Sequence, residues 1–195
     1  MNEISIFGIF LSAMLINNII LLRFIGLCPF FGVSNKMDSA IGMSMALIFV
    51  MTMATATTWL MYNYLLVPMG LVFLKIASFI LTIAALVQLV EIFMKKFALN
   101  LYKALGIYLP LITTNCAILA VAFLHVDYGM TFIQAIVYSL GVSTGFAMVI
   151  VLFAGVREKF ETAPVPKALQ GYPIAFFTAA LMSLAFLGFK GLFGL

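Results

Sequence analysis

Two cysteines are the residues of this chain whose side chains could carry chemistry. Cys28 lies in the segment Gly26-Leu-Cys-Pro-Phe-Phe-Gly32, and Cys116 lies in Pro110-Leu-Ile-Thr-Thr-Asn-Cys-Ala117. Each thiol stands beside helix-breaking or polar residues within a strongly apolar stretch, and hydrocarbon tolerates such residues only where protein covers the freed backbone groups. The alternative is two inert buried thiols, because free cysteine is among the most buried residue types. The local sequence favours a site.

Two membrane thiols are compatible with three kinds of centre. A structural disulfide fits poorly in a bundle that faces the cytoplasm, and structural zinc sites usually hold small soluble domains together. An iron–sulfur cluster takes four cysteine ligands, whereas this chain has two cysteines and one histidine, His125. One copy therefore cannot complete a four-thiolate cluster, and a second copy or a similar chain would have to supply the other pair.

The composition is that of an integral membrane protein. Of 195 residues, 66% are hydrophobic and 8% are charged, against about 25% charged residues in soluble domains. The length suits one helical bundle and leaves no room for a separate nucleotide-binding or catalytic domain. In a membrane protein, the net charge of +4 reports orientation rather than nucleic-acid binding. The first apolar run lacks the pattern of a signal peptide, so we interpret it as a retained span.

The apolar runs predict an all-α membrane protein with six transmembrane helices, because a span needs about 20 mostly apolar residues. The predicted spans are 4–24, 40–66, 71–94, 101–124, 131–155 and 172–193. The loops after spans one, three and five carry eight of the ten basic residues, which are Arg23, Lys36, Lys95, Lys96, Lys103, Arg157, Lys159 and Lys167. The positive-inside rule places this group in the cytoplasm and both termini outside.

The two halves of the chain, 1–97 and 98–195, resemble each other. Asn17-Asn18 corresponds to Thr114-Asn115, and Ile76-Ala-Ser-Phe79 corresponds to Ile174-Ala-Phe-Phe177, at offsets of 97 and 98 residues. With three spans per half, the second copy runs through the membrane upside down, and such inverted repeats place their site near the midplane at discontinuous helices. The sequence therefore predicts one membrane domain built from two inverted three-helix repeats.

Spans one and four are predicted to be broken helices. Straight helices would leave Cys28 and Cys116 at different depths. Pro29 disfavours helical geometry at Cys28, Gly26 adds backbone freedom, and Pro110 removes a hydrogen bond from span four. Three polar side chains can satisfy the freed backbone groups of span four, namely Thr113, Thr114 and Asn115. Breaks at these points could bring the two thiols to a similar depth.

Glu91 and Gln88 in span three admit two interpretations. Glu91 precedes Lys95 by four residues, the order that supports an ion pair on a helix. An intramembrane carboxylate can also line an ion path, and Gln88 lies one turn away on the same side. Because Glu91 falls near the cytoplasmic end of the span, the ion pair is favoured and the ion path is the alternative.

The motifs as a set resemble a known family. They are Asn17-Asn18, Arg23-Phe-Ile-Gly-Leu-Cys-Pro-Phe-Phe-Gly-Val-Ser34 and Leu109-Pro-Leu-Ile-Thr-Thr-Asn-Cys-Ala117, and they are similar to the A subunits of Rnf electron-transport complexes. The resemblance runs nearly end to end, through Gln88-Leu-Val-Glu91, Val151-Leu-Phe-Ala154 and Leu181-Met-Ser-Leu-Ala185. The E subunit of the sodium-pumping NADH:quinone oxidoreductase is a close relative and an alternative assignment. The proline after Cys28 and the Phe-Phe-Gly that follows it favour the Rnf family member.

The resemblance implies a component of a complex in the bacterial cytoplasmic membrane. Such a complex passes electrons between reduced ferredoxin and NAD and couples this to the movement of sodium ions or protons. The homologous E subunit is implied to form an inverted pair with this chain. Together they would hold one [2Fe-2S] cluster, with Cys28 and Cys116 as two of its four ligands. The cluster would relay electrons toward the flavin-bearing D and G subunits, and iron–sulfur B and C subunits would complete the complex.

Two other functions compete with an electron relay. The inverted halves and Glu91 also suit a small secondary transporter, and inert thiols would suit a purely structural scaffold. Iron–sulfur absorbance in the purified complex, lost on changing either cysteine to serine, separates the relay from both.

Overall fold

The computed structural model describes residues 6–97, 115–162, 164, 166 and 170–189. All regular structure in these residues is helical, which confirms the all-α prediction for that part of the chain. The α-helices are α1 Ile6–Leu11, α2 Ile19–Arg23, α3 Leu27–Val33, α4 Met37–Met61, α5 Lys75–Phe97, α6 Cys116–Asp127, α7 Phe132–Thr162 and α8 Tyr172–Leu187. A π-helical segment, Ser12–Ile16, extends α1, another, Tyr62–Leu66, extends α4, and a 3₁₀ turn, Val72–Leu74, precedes α5.

Three of the predicted spans are single helices long and apolar enough to cross a membrane. They are Met37–Leu66, Val72–Ile92 and Phe132–Phe160, which match predicted spans two, three and five. The other three positions hold shorter apolar helices, at Ile6–Ile16, Cys116–Asp127 and Tyr172–Leu187. Residues 98–114, including Pro110, Thr113 and Thr114, lie outside the described residues, as do 190–195. The six-span inverted repeat therefore stays a prediction.

The first predicted span is broken, as expected, but at two places rather than one. At the first break the Asn18 backbone is extended, and its side-chain Oδ1 accepts hydrogen bonds from the Ile20 and Leu21 N–H groups at 3.2 and 3.4 Å. Asn18 is thus the N-cap of α2, a role that asparagine fills well because its short side chain reaches the free amides. The second break follows α2, where Phe24 has φ of 53° and Gly26 has φ of 88°.

The prediction that Pro29 would hold Cys28 out of helical geometry is wrong. Cys28 is helical, and Pro29 occupies the first turn of α3. Proline is tolerated there because the first amides of a helix have no partner within the helix. The break lies earlier, at Gly26, whose positive φ is the conformation that glycine adopts without steric cost.

The helix that carries Cys116 begins inside predicted span four. Asn115 is extended, with φ of −72° and ψ of 112°, and its Oδ1 accepts a hydrogen bond from the Ala117 N–H at 3.0 Å. α6 therefore starts at Cys116 with an asparagine cap. Asn18 and Asn115 stand 97 residues apart, at corresponding positions of the two halves, and each caps a helix that starts within an apolar stretch.

The long helix α7 supports the broken first span. A Cβ atom added at Gly141 would lie 2.8 Å from the Phe10 carbonyl oxygen, and one added at Gly145 would lie 2.6 Å from that of Met14. Only glycine permits such close approach of a neighbouring backbone. Asn18 Nδ2 reinforces the contact by donating to the Gly145 carbonyl at 3.2 Å. On its other side, α7 packs against α4 in the largest helix pair of the described core.

Arg23, predicted to lie in the cytoplasmic group, is a neighbour of residues predicted to face outside, so these two placements conflict. Arg23 Nη2 donates to the Tyr128 hydroxyl at 3.1 Å, at the end of α6 where Asp127 pairs with Lys75 at 3.0 Å. That end was predicted to face outside. The chain turns at Asn18 and again at Phe24, so α2 does not continue the path of α1. If Arg23 shares a side with Tyr128, the count becomes seven basic residues against three.

Candidate functional site

Cys28 projects from a short helix whose opposite side is firmly packed. Phe30 stacks on Phe153 of α7, with ring centroids 4.3 Å apart, and Phe31 packs on Phe176 of α8 at the same separation. Both phenylalanines are buried, as is Pro29, whereas the Cys28 side chain is exposed and free. The aromatic contacts hold α3 against α7 and α8 and leave the thiol exposed.

Arg157 of α7 holds the other end of α3. Its Nη1 donates to the Phe31 carbonyl at 2.9 Å and to Ser34 Oγ at 2.8 Å, and its guanidinium lies 5.7 Å from the centre of the Phe153 ring. A cation at a helix C-terminus satisfies carbonyls that have no partner within the helix and opposes the helix dipole. From the sequence Arg157 was a marker of orientation only. The sequence around a basic residue near the end of an apolar helix does not show which backbone carbonyl its side chain will contact.

Cys116 is the first residue of α6, and it is exposed between two buried neighbours. Asn115 is 4% exposed and Ala117 is fully buried, whereas the Cys116 thiol is free and exposed. The pattern resembles that around Cys28, which is also exposed in the first turn of a helix, two residues after the cap residue Gly26.

The segments that carry the two cysteines meet at Gly26. A Cβ atom added there would lie 3.1 Å from Ala117 Cβ, 3.4 Å from Asn115 Oδ1 and 3.0 Å from Phe146 Cε2. Ala117 adjoins Cys116, and Gly26 is two residues before Cys28. Phe146 lies near the middle of α7, so this contact falls near the middle of a spanning helix. The tertiary structure thus brings together two segments that are about ninety residues apart in sequence. Asn115 and Ala117 of one segment lie against Gly26 of the other.

The two thiols do not form a complete metal site by themselves. Among the described residues, no group of three or more histidine, cysteine and acidic side chains is placed to hold a metal. His125, the one histidine, is buried at the far end of α6, where its Nδ1 lies 3.0 Å from the Val121 carbonyl and its ring stacks on Phe79. The donor set here is two exposed thiols on adjoining segments, which fits a centre whose remaining ligands come from another chain.

Glu91 and Gln88 lie on α5, which packs on α4 and α6. Glu91 is half-buried, and Gln88 is exposed. Lys95, one turn beyond Glu91, is exposed in the last turn of the same helix. Both interpretations of Glu91, an ion pair and an ion path, stay predictions.

Comparison with known proteins places the chain in a family. The sequence pattern of the family described as "Rnf-Nqr subunit, membrane protein" matches residues 6–193. The A subunit of the ion-translocating oxidoreductase complex from Azoarcus sp. (strain BH72) is 57% identical over 93% of this chain and 94% of its own length. The A subunit of the Na(+)-translocating ferredoxin:NAD(+) oxidoreductase complex of Acetobacterium woodii is 52% identical over 94% of this chain and 96% of its own length.

A third relative, the A subunit of the ion-translocating oxidoreductase complex of Serratia proteamaculans, is also 52% identical, over 94% of this chain and 95% of its own length. These matches confirm the resemblance found in the cysteine motifs. They also favour an A subunit over the related E subunit of the quinone-reducing complex, because all three relatives are named as A subunits. With the match extending over 6–193, the chain belongs to the Rnf-Nqr family of membrane subunits.

Proposed function

We propose that this chain is the A subunit of an ion-translocating ferredoxin:NAD⁺ oxidoreductase complex in the bacterial cytoplasmic membrane. Relatives named as A subunits of ion-translocating oxidoreductase complexes are 50–57% identical along nearly the whole chain, and the one named as a ferredoxin:NAD(+) oxidoreductase subunit is 52% identical. The helical, strongly apolar structure supports a role within the membrane part of such a complex. We propose that the chain acts as one component of an enzyme whose active site is completed by other subunits.

Within that complex, we propose that Cys28 and Cys116 supply two of the four ligands of a [2Fe-2S] cluster. The contact of Gly26 with Ala117 carries this proposal, because it brings together the only two segments with thiols. Both thiols are exposed on the surface of the single chain, where a partner can reach them. The homologous E subunit, related to this chain as an inverted copy, would supply the other two cysteines.

The residues around the thiols act by fixing their positions. The cluster, when bound, supplies one-electron transfer between donor and acceptor groups. Phe30, Phe31 and Arg157 hold α3 against α7, and Asn115 sets the start of α6. Rigid support of this kind keeps ligands at one separation, which limits rearrangement when an electron arrives.

The wider path runs from ferredoxin to NAD⁺ through several subunits. We propose that electrons cross the bilayer at the shared cluster, between the iron–sulfur B and C subunits and the flavin-bearing D and G subunits. Electron flow would drive transport of sodium ions or protons. Glu91 and Gln88 are the candidates in this chain for an ion path, with a Glu91–Lys95 ion pair as the alternative.

The test is spectroscopic and uses the whole purified complex. We expect iron–sulfur absorbance and an electron paramagnetic resonance signal that disappear in Cys28→Ser and in Cys116→Ser, while the other subunits stay assembled. Met45→Ser, at an exposed position of α4, is the control for introducing serine into the apolar surface. An intact signal in either cysteine variant would refute the ligand assignment. A wild-type complex without this cluster would favour the transporter or scaffold alternatives.

A further inference from the structure

The two asparagine caps differ in one respect. Asn18 uses its whole amide, because Oδ1 accepts from two backbone N–H groups while Nδ2 donates to the carbonyls of Met14 at 3.3 Å and Gly145 at 3.2 Å. Asn115 uses only half of its amide. Its Oδ1 accepts from the Ala117 N–H, and its buried Nδ2 has no hydrogen-bond acceptor within the described structure.

Asn115 Nδ2 is one of three buried side-chain atoms that have no hydrogen-bond partner among the described residues, with His125 Nε2 and Ser139 Oγ, and it is the one next to a thiol. A buried donor without a partner costs roughly 1–3 kcal/mol, so such groups usually mark a missing acceptor. The orientation of the amide is fixed by the cap, since exchanging its oxygen and nitrogen would place an N–H group against the Ala117 N–H. The acceptor is therefore not among the residues that the structure describes, and a group from outside them has to supply it.

The position of Asn115 indicates what that acceptor is. The side chain lies between the two thiol-bearing segments, directly before Cys116 and against Gly26, whose added Cβ would stand 3.4 Å from Asn115 Oδ1. It also stands at the N-terminus of α6, a helix of 12 residues whose partial positive charge favours an anionic group there. Neither thiol of this chain accepts from Nδ2, although Cys116 is the next residue and Gly26, two residues before Cys28, packs against Asn115.

We infer that Asn115 Nδ2 donates a hydrogen bond to a sulfur of the centre ligated by Cys28 and Cys116, and that it raises the reduction potential of that centre. This inference rests on the proposed cluster. A donor stabilises negative charge on sulfur, and the reduced form carries one more negative charge than the oxidised form. The donor therefore favours reduction, and its removal makes the centre harder to reduce. Asn115 is thus a positioning and tuning residue rather than a ligand.

Asn115→Ser in the complete complex tests the inference. Serine is also a good N-cap, so α6 keeps its start, but its shorter side chain does not reach the position of Nδ2. We expect the midpoint potential in an electron paramagnetic resonance titration to fall by an amount equal to a tenfold change in the reduction equilibrium, about 59 mV for one electron. Asn18→Ser is the matched control, because that Nδ2 is already bonded to Met14 and Gly145. It should leave the potential unchanged.

A second measurement detects the hydrogen bond directly and begins with the wild-type complex. In wild-type complex labelled with ¹⁵N at asparagine side chains, electron–nuclear double resonance on the reduced centre should show coupling to one amide nitrogen. That coupling should vanish in Asn115→Ser and persist in Asn18→Ser. A wild-type complex that has the cluster signal but lacks the coupling would overturn the inference and leave the proposed function standing. A complex with no cluster signal at all would instead refute the proposed function.

Discussion

Gly26 and Ala117 are packed so closely that a Cβ atom added to Gly26 would lie 3.1 Å from the Cβ of Ala117. The contact joins the segment of Cys28 to that of Cys116, near the level of Phe146 in the middle of α7. The proposed two-thiol centre depends on it. Its consequences can be measured with single substitutions.

Gly26→Ala is expected to disrupt the site. Alanine would adopt a positive φ at a cost of about 1 kcal/mol, and its Cβ would press on Phe146, Ala117 and Asn115, which typically adds about 1–3 kcal/mol. We expect a lower melting temperature of the complex and reduced cluster content. Gly70→Ala is the matched control, because Gly70 also has a positive φ, 66°, but no atom within 4 Å of the added Cβ. Equal loss in both variants would contradict the packing argument.

Gly145→Ala should displace the first half-helix from α7. The added Cβ would lie 2.6 Å from the backbone oxygen of Met14, and a backbone atom cannot move aside as a side chain can. The shift would also weaken the bond from Asn18 to the Gly145 carbonyl. We expect loss of assembled complex, measured as subunit yield after purification. Gly155→Ala on the same helix meets only the flexible end of Met37 at 3.5 Å and should assemble normally.

Arg157→Met should loosen the helix that carries Cys28. The change removes two charge-assisted hydrogen bonds, to Phe31 and Ser34, each worth about 1.5–3 kcal/mol. Cluster content and signal linewidth in the purified complex report the effect. Lys159→Met, an exposed position two residues further along α7, removes the same charge and should preserve both. A wild-type signal in Arg157→Met would show that the aromatic contacts alone hold α3.

The orientation of the chain gives a fourth prediction. Even with Arg23 counted on the side of Tyr128, seven basic residues against three still predict that both termini lie outside and residues 157–171 in the cytoplasm. A protease site inserted between Pro164 and Pro166, both exposed, should be cut only in inside-out vesicles. A site at the N-terminus should be cut only in right-side-out vesicles. Cleavage in the opposite pattern would invert the topology.

Glu91→Gln distinguishes the two roles of that residue. If Glu91 pairs with Lys95 near the membrane surface, neutralising Glu91 should leave the rate of ion transport nearly unchanged. The loss of an exposed ion pair on a helix costs only roughly 0.5 kcal/mol of stability. We favour this outcome. Ion uptake and electron transfer are measured together in proteoliposomes, with Gln88→Ala as the neighbouring variant. Lost ion uptake with retained electron transfer would assign Glu91 to the ion path.

The sequence alone was sufficient to predict features that depend on a residue's own side chain or on its near neighbours in the chain. Apolar composition determined the membrane class, because burial in lipid depends on each residue's own side chain. The breaks before Cys28 and Cys116 were also predictable, since Gly26 and Asn115 act on their own backbone or on amides two residues away. The effect of Pro29 was misjudged because a proline at a helix start and one that breaks a helix look alike in sequence.

Only the tertiary structure decided which distant groups meet. The contact of Gly26 with Ala117, the bond from Arg157 to the Phe31 carbonyl and the bond from Arg23 to Tyr128 each join residues about ninety or more positions apart. Such contacts depend on how α3, α6 and α7 pack together, which is set by the combined shape of many side chains. The unsatisfied Nδ2 of Asn115 belongs to the same class, because an asparagine in a sequence does not show whether its amide finds an acceptor.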